Sequence, residues 1–166
     1  MALITLGGTP TNTIGELPIT GSKAQDFSLK AANLSNKSLS DYAGSNLILN
    51  IFPSVDTGVC ATSVRTFNKS AASLKNTKVL CISRDLPFAQ ARFCGAEGIE
   101  NVEMLSDFVD GSFGKDYGVE IIDGAFANLH SRAIVVISSN EEVVYTEQVP
   151  EVGEEPNYEA ALASIK

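Results

Sequence analysis

The chain lacks any run of about 20 apolar residues, so no segment of it reads as a membrane span. It is short of positive charge: 12 Lys and Arg stand against 20 Asp and Glu over 166 residues, a net charge of −8. That balance offers no general basic field and argues against a nucleic-acid binder. The opening Met1-Ala-Leu-Ile-Thr-Leu-Gly-Gly has no basic region, and its apolar stretch is too short for a signal peptide, which leads to the expectation of a cytoplasmic protein. Internal repeats, low-complexity tracts and linker-like stretches are missing, so residues 1–166 read as a single domain. Histidine occurs once, at His130, and cysteine three times, at Cys60, Cys81 and Cys94. An odd number of cysteines in a reducing compartment argues against a permanent disulfide scaffold. With no Cys-x2-Cys pair, the scattered Cys and His residues also argue against a metal site.

What is present is ordinary globular material. At 44% hydrophobic and 19% charged residues the chain is too apolar to be disordered. Its length buries roughly two-thirds of the unfolded surface. In the Gly-, Thr-, Ser- and Asn-rich N-terminal third, Ala2–Leu6, Phe27–Leu29 and Leu34 mark short strands and turns. Asn46-Leu-Ile-Leu-Asn-Ile-Phe52 is a nearly continuous apolar run, as in a central strand covered on both faces, and Pro53 ends it. Cys60, Val64, Phe67, Ala71 and Leu74 then step by helical intervals, with Asp56 or Thr57 as the N-cap. A second buried strand spans 78–83. Pro87 opens a shorter helix running to about Cys94, with Gly95 at the expected stop. After a weaker stretch, in which Val102–Leu105 reads as a strand and Gly111–Gly118 as loop or short helix, residues 133–137 and 142–147 read as a hairpin. An amphipathic helix from Asn157 to Ile165 closes the chain. A βαβα half followed by a ββα half implies an α/β domain of thioredoxin-like layout: a central mixed sheet flanked by helices, with an N-terminal hairpin extension.

Cys60 has two readings. Cysteine is a frequent buried filler, and Cys60 shares a helix face with Val64 and Phe67. Its address favours chemistry, because it leaves the C-terminal end of a central strand and enters the first turn of a helix. Ligands bind at that place in open α/β sheets, and unpaired N–H groups there favour a thiolate.

The spacing Pro53-x3-Thr57-x2-Cys60 resembles the active-site signature of the peroxiredoxins. The longer string Asn50-Ile-Phe-Pro53-Ser-Val-Asp-Thr57-Gly-Val-Cys60-Ala-Thr-Ser-Val-Arg65-Thr-Phe67-Asn is similar to one branch, the bacterial thiol peroxidases or atypical two-cysteine peroxiredoxins, and the likeness runs over essentially the whole chain. It implies an antioxidant peroxidase that reduces hydrogen peroxide and organic hydroperoxides. In this reading Cys60 is the peroxidatic nucleophile, Thr57 sets its hydroxyl against thiolate and peroxide, Pro53 shields the site, and Arg132 completes it. Cys94 resolves the sulfenic acid to an intramolecular disulfide, which thioredoxin or a similar dithiol protein reduces. No metal, haem or flavin is implied, and a homodimer is, with apolar residues near Phe27 and the Cys60 loop available to form it. Two departures from the family pattern stand out: Gln25 where proline is common, and Gly58 where many relatives have proline.

Magnitudes constrain the roles. An ordinary thiol is about 3% thiolate at pH 7, and a pKa near 6 raises that by about 30-fold. Falling nucleophilicity takes back about 10-fold. The larger part of any peroxidase rate therefore comes from positioning and from donors to the leaving oxygen. Two cysteines on different helices rarely have Cα atoms within the ~7 Å a disulfide allows. We therefore expect the first turn at Cys60 and the end of the Cys94 helix to unwind during turnover, eased by Gly58 and Gly95. Arg65 reads equally as a solvent-facing residue or a support to the site. Cys81, mid-strand, reads as an inert buried thiol. The rival readings are a cysteine hydrolase using His130 as base for Cys60, and a non-enzymatic thioredoxin-fold adaptor.

Overall fold

A computed structural model describes residues 1–165. The apolar run at 46–51 forms strand β5 (Asn46–Ile51), every residue of which is buried. It lies inside a seven-stranded sheet of order β4-β3-β7-β6-β5-β8-β9. The other members are β3 (Leu29–Lys30), β4 (Asn36–Lys37), β6 (Thr77–Ser83), β7 (Glu103–Ser106), β8 (Ala133–Ile137) and β9 (Val143–Gln148). Neighbours β5, β6 and β7 run parallel, while β8 and β9 return antiparallel as the expected hairpin. A separate hairpin joins β1 (Leu3–Leu6) to β2 (Thr9–Asn12). The mixed sheet and the N-terminal hairpin agree with the sequence reading.

Because strand side chains alternate, each central strand feeds two cores. Leu47, Leu49, Ile51, Leu80, Ile82, Val135 and Ile137 face one core with Phe27, Tyr42, Phe113 and Tyr117. Ile48, Phe52, Val79, Cys81, Ile134 and Val136 face the other, against α1 (Gly58–Ala71), α2 (Pro87–Glu97) and α4 (Tyr158–Ala163). A five-residue helix, α3 (Ser112–Asp116), belongs to the first side. Among the described residues no helix is long and apolar enough to cross a membrane.

Two boundaries depart from expectation. Gly95 does not stop α2. The helix runs through it to Glu97 and ends at Gly98, whose φ of 65° is left-handed and whose N–H bonds to Cys94 O. Two glycines three residues apart look alike in sequence, and the left-handed one is the terminator. Cys94 thus sits inside the last turn rather than at the helix end. Phe27 is also buried, stacked edge-on to Phe113 with ring centroids 6.1 Å apart, and is not part of an exposed patch.

Helix α1 is anchored by its apolar stripe. Val64 and Phe67 are fully buried, and Phe67 meets Tyr158 of α4 edge-on at 5.2 Å. Phe67→Ala should cost about 3–5 kcal/mol, seen as a lower urea midpoint with an unchanged m-value.

Candidate active site

The site is assembled where β5 ends. Pro53 breaks the strand, and the following loop is tied to the end of β6 by one carboxylate. Asp85 accepts from Ser54 Oγ (2.7 Å), Val55 N (2.9 Å) and Ser83 Oγ (2.6 Å). Thr57 occupies the N-cap of α1, but its hydroxyl donates to Ser54 O (3.0 Å) and makes no cap bond. The first bond into the helix is Ala61 N to Thr57 O (3.0 Å). Cys60 therefore stands in the first turn, where N–H groups lack intrahelical partners.

Arg132 comes from the neighbouring strand. Antiparallel pairing of Ile51 with Ala133 sets the residue before β8 beside the loop after β5. Its guanidinium is buried, with Nη2 3.1 Å from Cys60 Sγ, Nε donating to Val152 O (2.7 Å), and Nη1 without a partner in the protein. The backbone there is locked from β9: Gln148 Nε2 and Val149 N both donate to Arg132 O, at 2.9 and 3.0 Å. Of the residues singled out from sequence, Cys60, Arg132, Pro53 and Thr57 come together. The last three line an apolar cavity of about 150 Å³, with Val59, Val152 and Phe126. Cys60 itself is wholly covered, so its sulfur lies behind the cavity wall rather than in an open mouth.

A buried polar stitch crosses the apolar face beneath Cys60. Ser63 Oγ donates to Cys60 O (2.8 Å), and Asn50 Nδ2 reaches both Ser63 Oγ (3.2 Å) and Cys81 Sγ (3.6 Å). It fixes the rotation of α1 on the sheet. Neither Ser63 nor Gln148 was singled out from sequence, because Ser63 meets Asn50 13 residues away and Gln148 meets Arg132 16 residues away.

The other two thiols form no bond with Cys60. Cys94 and Cys60 are both free, on α2 and α1, and pack into one apolar cluster. Cys94 is half-buried, and burial pushes its thiol up. It opens on a different cavity, of about 430 Å³, with Ala31, Ala91, Ile99 and Met104. Cys81 is fully buried and pushed up to about 12, chiefly by burial, in keeping with an inert thiol. Arg65 faces solvent and makes a two-pronged bond to Glu97 of α2 (both 2.9 Å), linking the two cysteine-bearing helices. His130 is buried elsewhere in the hydrogen-bond network. Its Nε2 lies 2.9 Å from Asp107 Oδ2 and its ring 5.7 Å from that of Phe113, in a cluster that Arg84 and Glu120 extend. None of its hydrogen bonds reaches Cys60, which removes the base a cysteine hydrolase requires. No cluster of His, Cys, Asp or Glu fit to hold a metal occurs among the described residues.

Comparison with known proteins gives a consistent result. The Redoxin family matches residues 19–162. The thiol peroxidase of Mycobacterium tuberculosis is 59% identical over 165 residues, covering 99% of each chain. A peroxiredoxin-like protein from Aquifex aeolicus superimposes with a TM-score of 0.92 at 34% identity, over 99% of this chain and 96% of that one. The thiol peroxidase of Chromobacterium violaceum superimposes with a TM-score of 0.90 over 97% and 93% of the two chains, its 22% identity speaking for the thioredoxin-like fold alone. This chain belongs to the Redoxin family and, within it, to the thiol peroxidases.

Proposed function

We propose that this peroxidase works through Cys60, with Arg132 as the group that holds and polarises the peroxide. One observation carries the reading: a buried guanidinium 3.1 Å from a cysteine sulfur, with a second buried donor, Nη1, unspent. A buried donor without a partner is costly, and a bound oxygen would satisfy it. The guanidinium supplies the counter-charge for a thiolate and a donor for the departing oxygen.

In the first step the Cys60 thiolate attacks the terminal oxygen of a hydroperoxide. The S–O bond forms, the O–O bond breaks, and the other oxygen leaves as alkoxide or hydroxide and takes up a proton. Cys60 is then a sulfenic acid. Thr57 and Pro53 line the approach, and the Thr57 hydroxyl, already donating to Ser54 O, keeps its lone pairs for the peroxide proton. In the second step the Cys94 thiolate attacks the Cys60 sulfur, forming the disulfide and expelling the sulfenic oxygen as water. A dithiol protein of the thioredoxin type restores both thiols and becomes oxidised itself.

The second step requires α2 to yield. Beyond Gln90 the helix has no fully buried residue, so its last two turns are weakly anchored and open at low cost. The exposed apolar residues Leu86, Phe88, Phe108 and Val109 follow the ends of β6 and β7, at the same end of the parallel strands as the Cys60 loop. A second copy of the chain packs there in our reading. Locally this replaces the expectation placed on Phe27.

Four outcomes follow. Cys60→Ser should abolish turnover. Cys94→Ser should consume one equivalent of peroxide and then stop when thioredoxin is the reductant, and undiminished cycling would remove Cys94 from the mechanism. Amide hydrogen exchange should be faster in the oxidised than in the reduced protein at the start of α1 and in the last turns of α2, whereas equal protection of both segments counts against unwinding. Phe88→Asp should shift the sedimenting species from dimer to monomer; a monomeric parent protein would end the dimer reading.

A further inference from the structure

Arg132 is aimed by a single acceptor at its root. Nε donates to Val152 O at 2.7 Å, and this bond orients the guanidinium whose Nη2 meets Cys60. Val152 lies beyond β9, outside the main sheet, so something must hold its carbonyl still. Its backbone is tied to the N-terminal hairpin by an isolated parallel bridge: Thr5 N donates to Pro150 O and Val152 N to Thr5 O, both at 2.8 Å. Between these two bonds sits Glu151, whose side chain reaches back over the hairpin turn. Oε2 accepts from Thr5 Oγ1 (2.6 Å) and Gly8 N (3.0 Å); Oε1 accepts from Gly7 N (2.9 Å) and Gly153 N (3.0 Å). Gly7 and Gly8 have φ of 57° and 81°, left-handed values that turn successive N–H groups toward one anion.

We propose that Glu151 is a positioning residue for peroxide reduction: by gripping the Gly7–Gly8 turn it fixes the Val152 carbonyl and so aims Arg132 at Cys60. The proposal rests on the reading of Cys60 and Arg132 given above. It makes the N-terminal hairpin part of the catalytic apparatus although the hairpin touches no reacting atom. Leu6 adds to the same effect, since it stands in the wall of the cavity beside Val152 and Gly153. The grip is not a pH switch. Four donors hold the Glu151 carboxyl down at about 2, so it is ionised at neutral pH.

The full-length chain tests this by first-turnover reaction with hydrogen peroxide, measured in competition with a haem peroxidase. Glu151→Gln keeps the shape but turns one oxygen into a donor, which confronts a backbone N–H of the turn. The expected loss is about tenfold in the second-order rate, on the scale of a displaced catalytic group. Arg132→Gln should lose more, and adding Glu151→Gln to it should cost nothing further, because Glu151 acts only through Arg132. A purely structural role would give losses that multiply and would overturn the proposal. So would a normal rate in Glu151→Gln beside a crippled Arg132→Gln. A normal rate in Arg132→Gln would instead overturn the reading of the site itself. Should Glu151→Gln fail to fold, Thr5→Val removes one donor only. It should lose about two- to threefold alone and nothing in the Arg132→Gln background, and no loss in either background overturns the proposal.

Discussion

A guanidinium enclosed against a sulfur is the constraint around which the rest of the molecule is arranged. Burying a charge away from water is costly unless it is paired and hydrogen-bonded. Arg132 meets this with Cys60 on one side and Val152 O on another. Each partner must then be held in turn. Cys60 is held by the loop that Asp85 pins and by the Ser63–Asn50 stitch under α1. The Arg132 backbone is held by β5 through register and by β9 through Gln148. The sheet thus brings two residues 72 positions apart in the chain to hydrogen-bond distance.

The two faces of the sheet divide the labour. One carries the thiols among helices α1, α2 and α4. The other packs aromatic rings over the strands and ends in the ionic cluster around Asp107, where His130 is absorbed. Gly114 leaves room for the ring, since a Cβ there would lie 3.0 Å from His130 Nε2. The lone histidine serves packing against Phe113 and a hydrogen bond to Asp107.

Much of this was legible in the sequence, for reasons that can be stated. The strand 46–51 announces itself by continuous apolar character, and the helix after it by its stepping, so the address of Cys60 follows from pattern alone. Arg132 does not. Nothing local separates it from a surface arginine, and only the family resemblance raised it. Glu151, Val152 and Gln148 were silent because their roles depend on contacts across the fold. Gly98 was missed because a sequence does not display φ, and Phe27 because a short apolar run among polar residues looks the same whether it faces water or a core. The complete burial of Cys60 was likewise hidden, since the covering comes from the packing of α1 against the sheet and from Arg132.

The half-anchored end of α2 carries one more implication. In the proposed cycle the reduced protein keeps that helix wound, while the disulfide form cannot. Oxidation state is then written into the order of one segment as well as into two sulfur atoms. A reductant arriving at the oxidised protein meets a loosened strand of backbone with an accessible S–S bond, whereas the reduced form presents a closed helical surface. Discrimination between spent and ready enzyme therefore needs no dedicated recognition patch, because the substrate of the reductant comes into being only when the helix lets go.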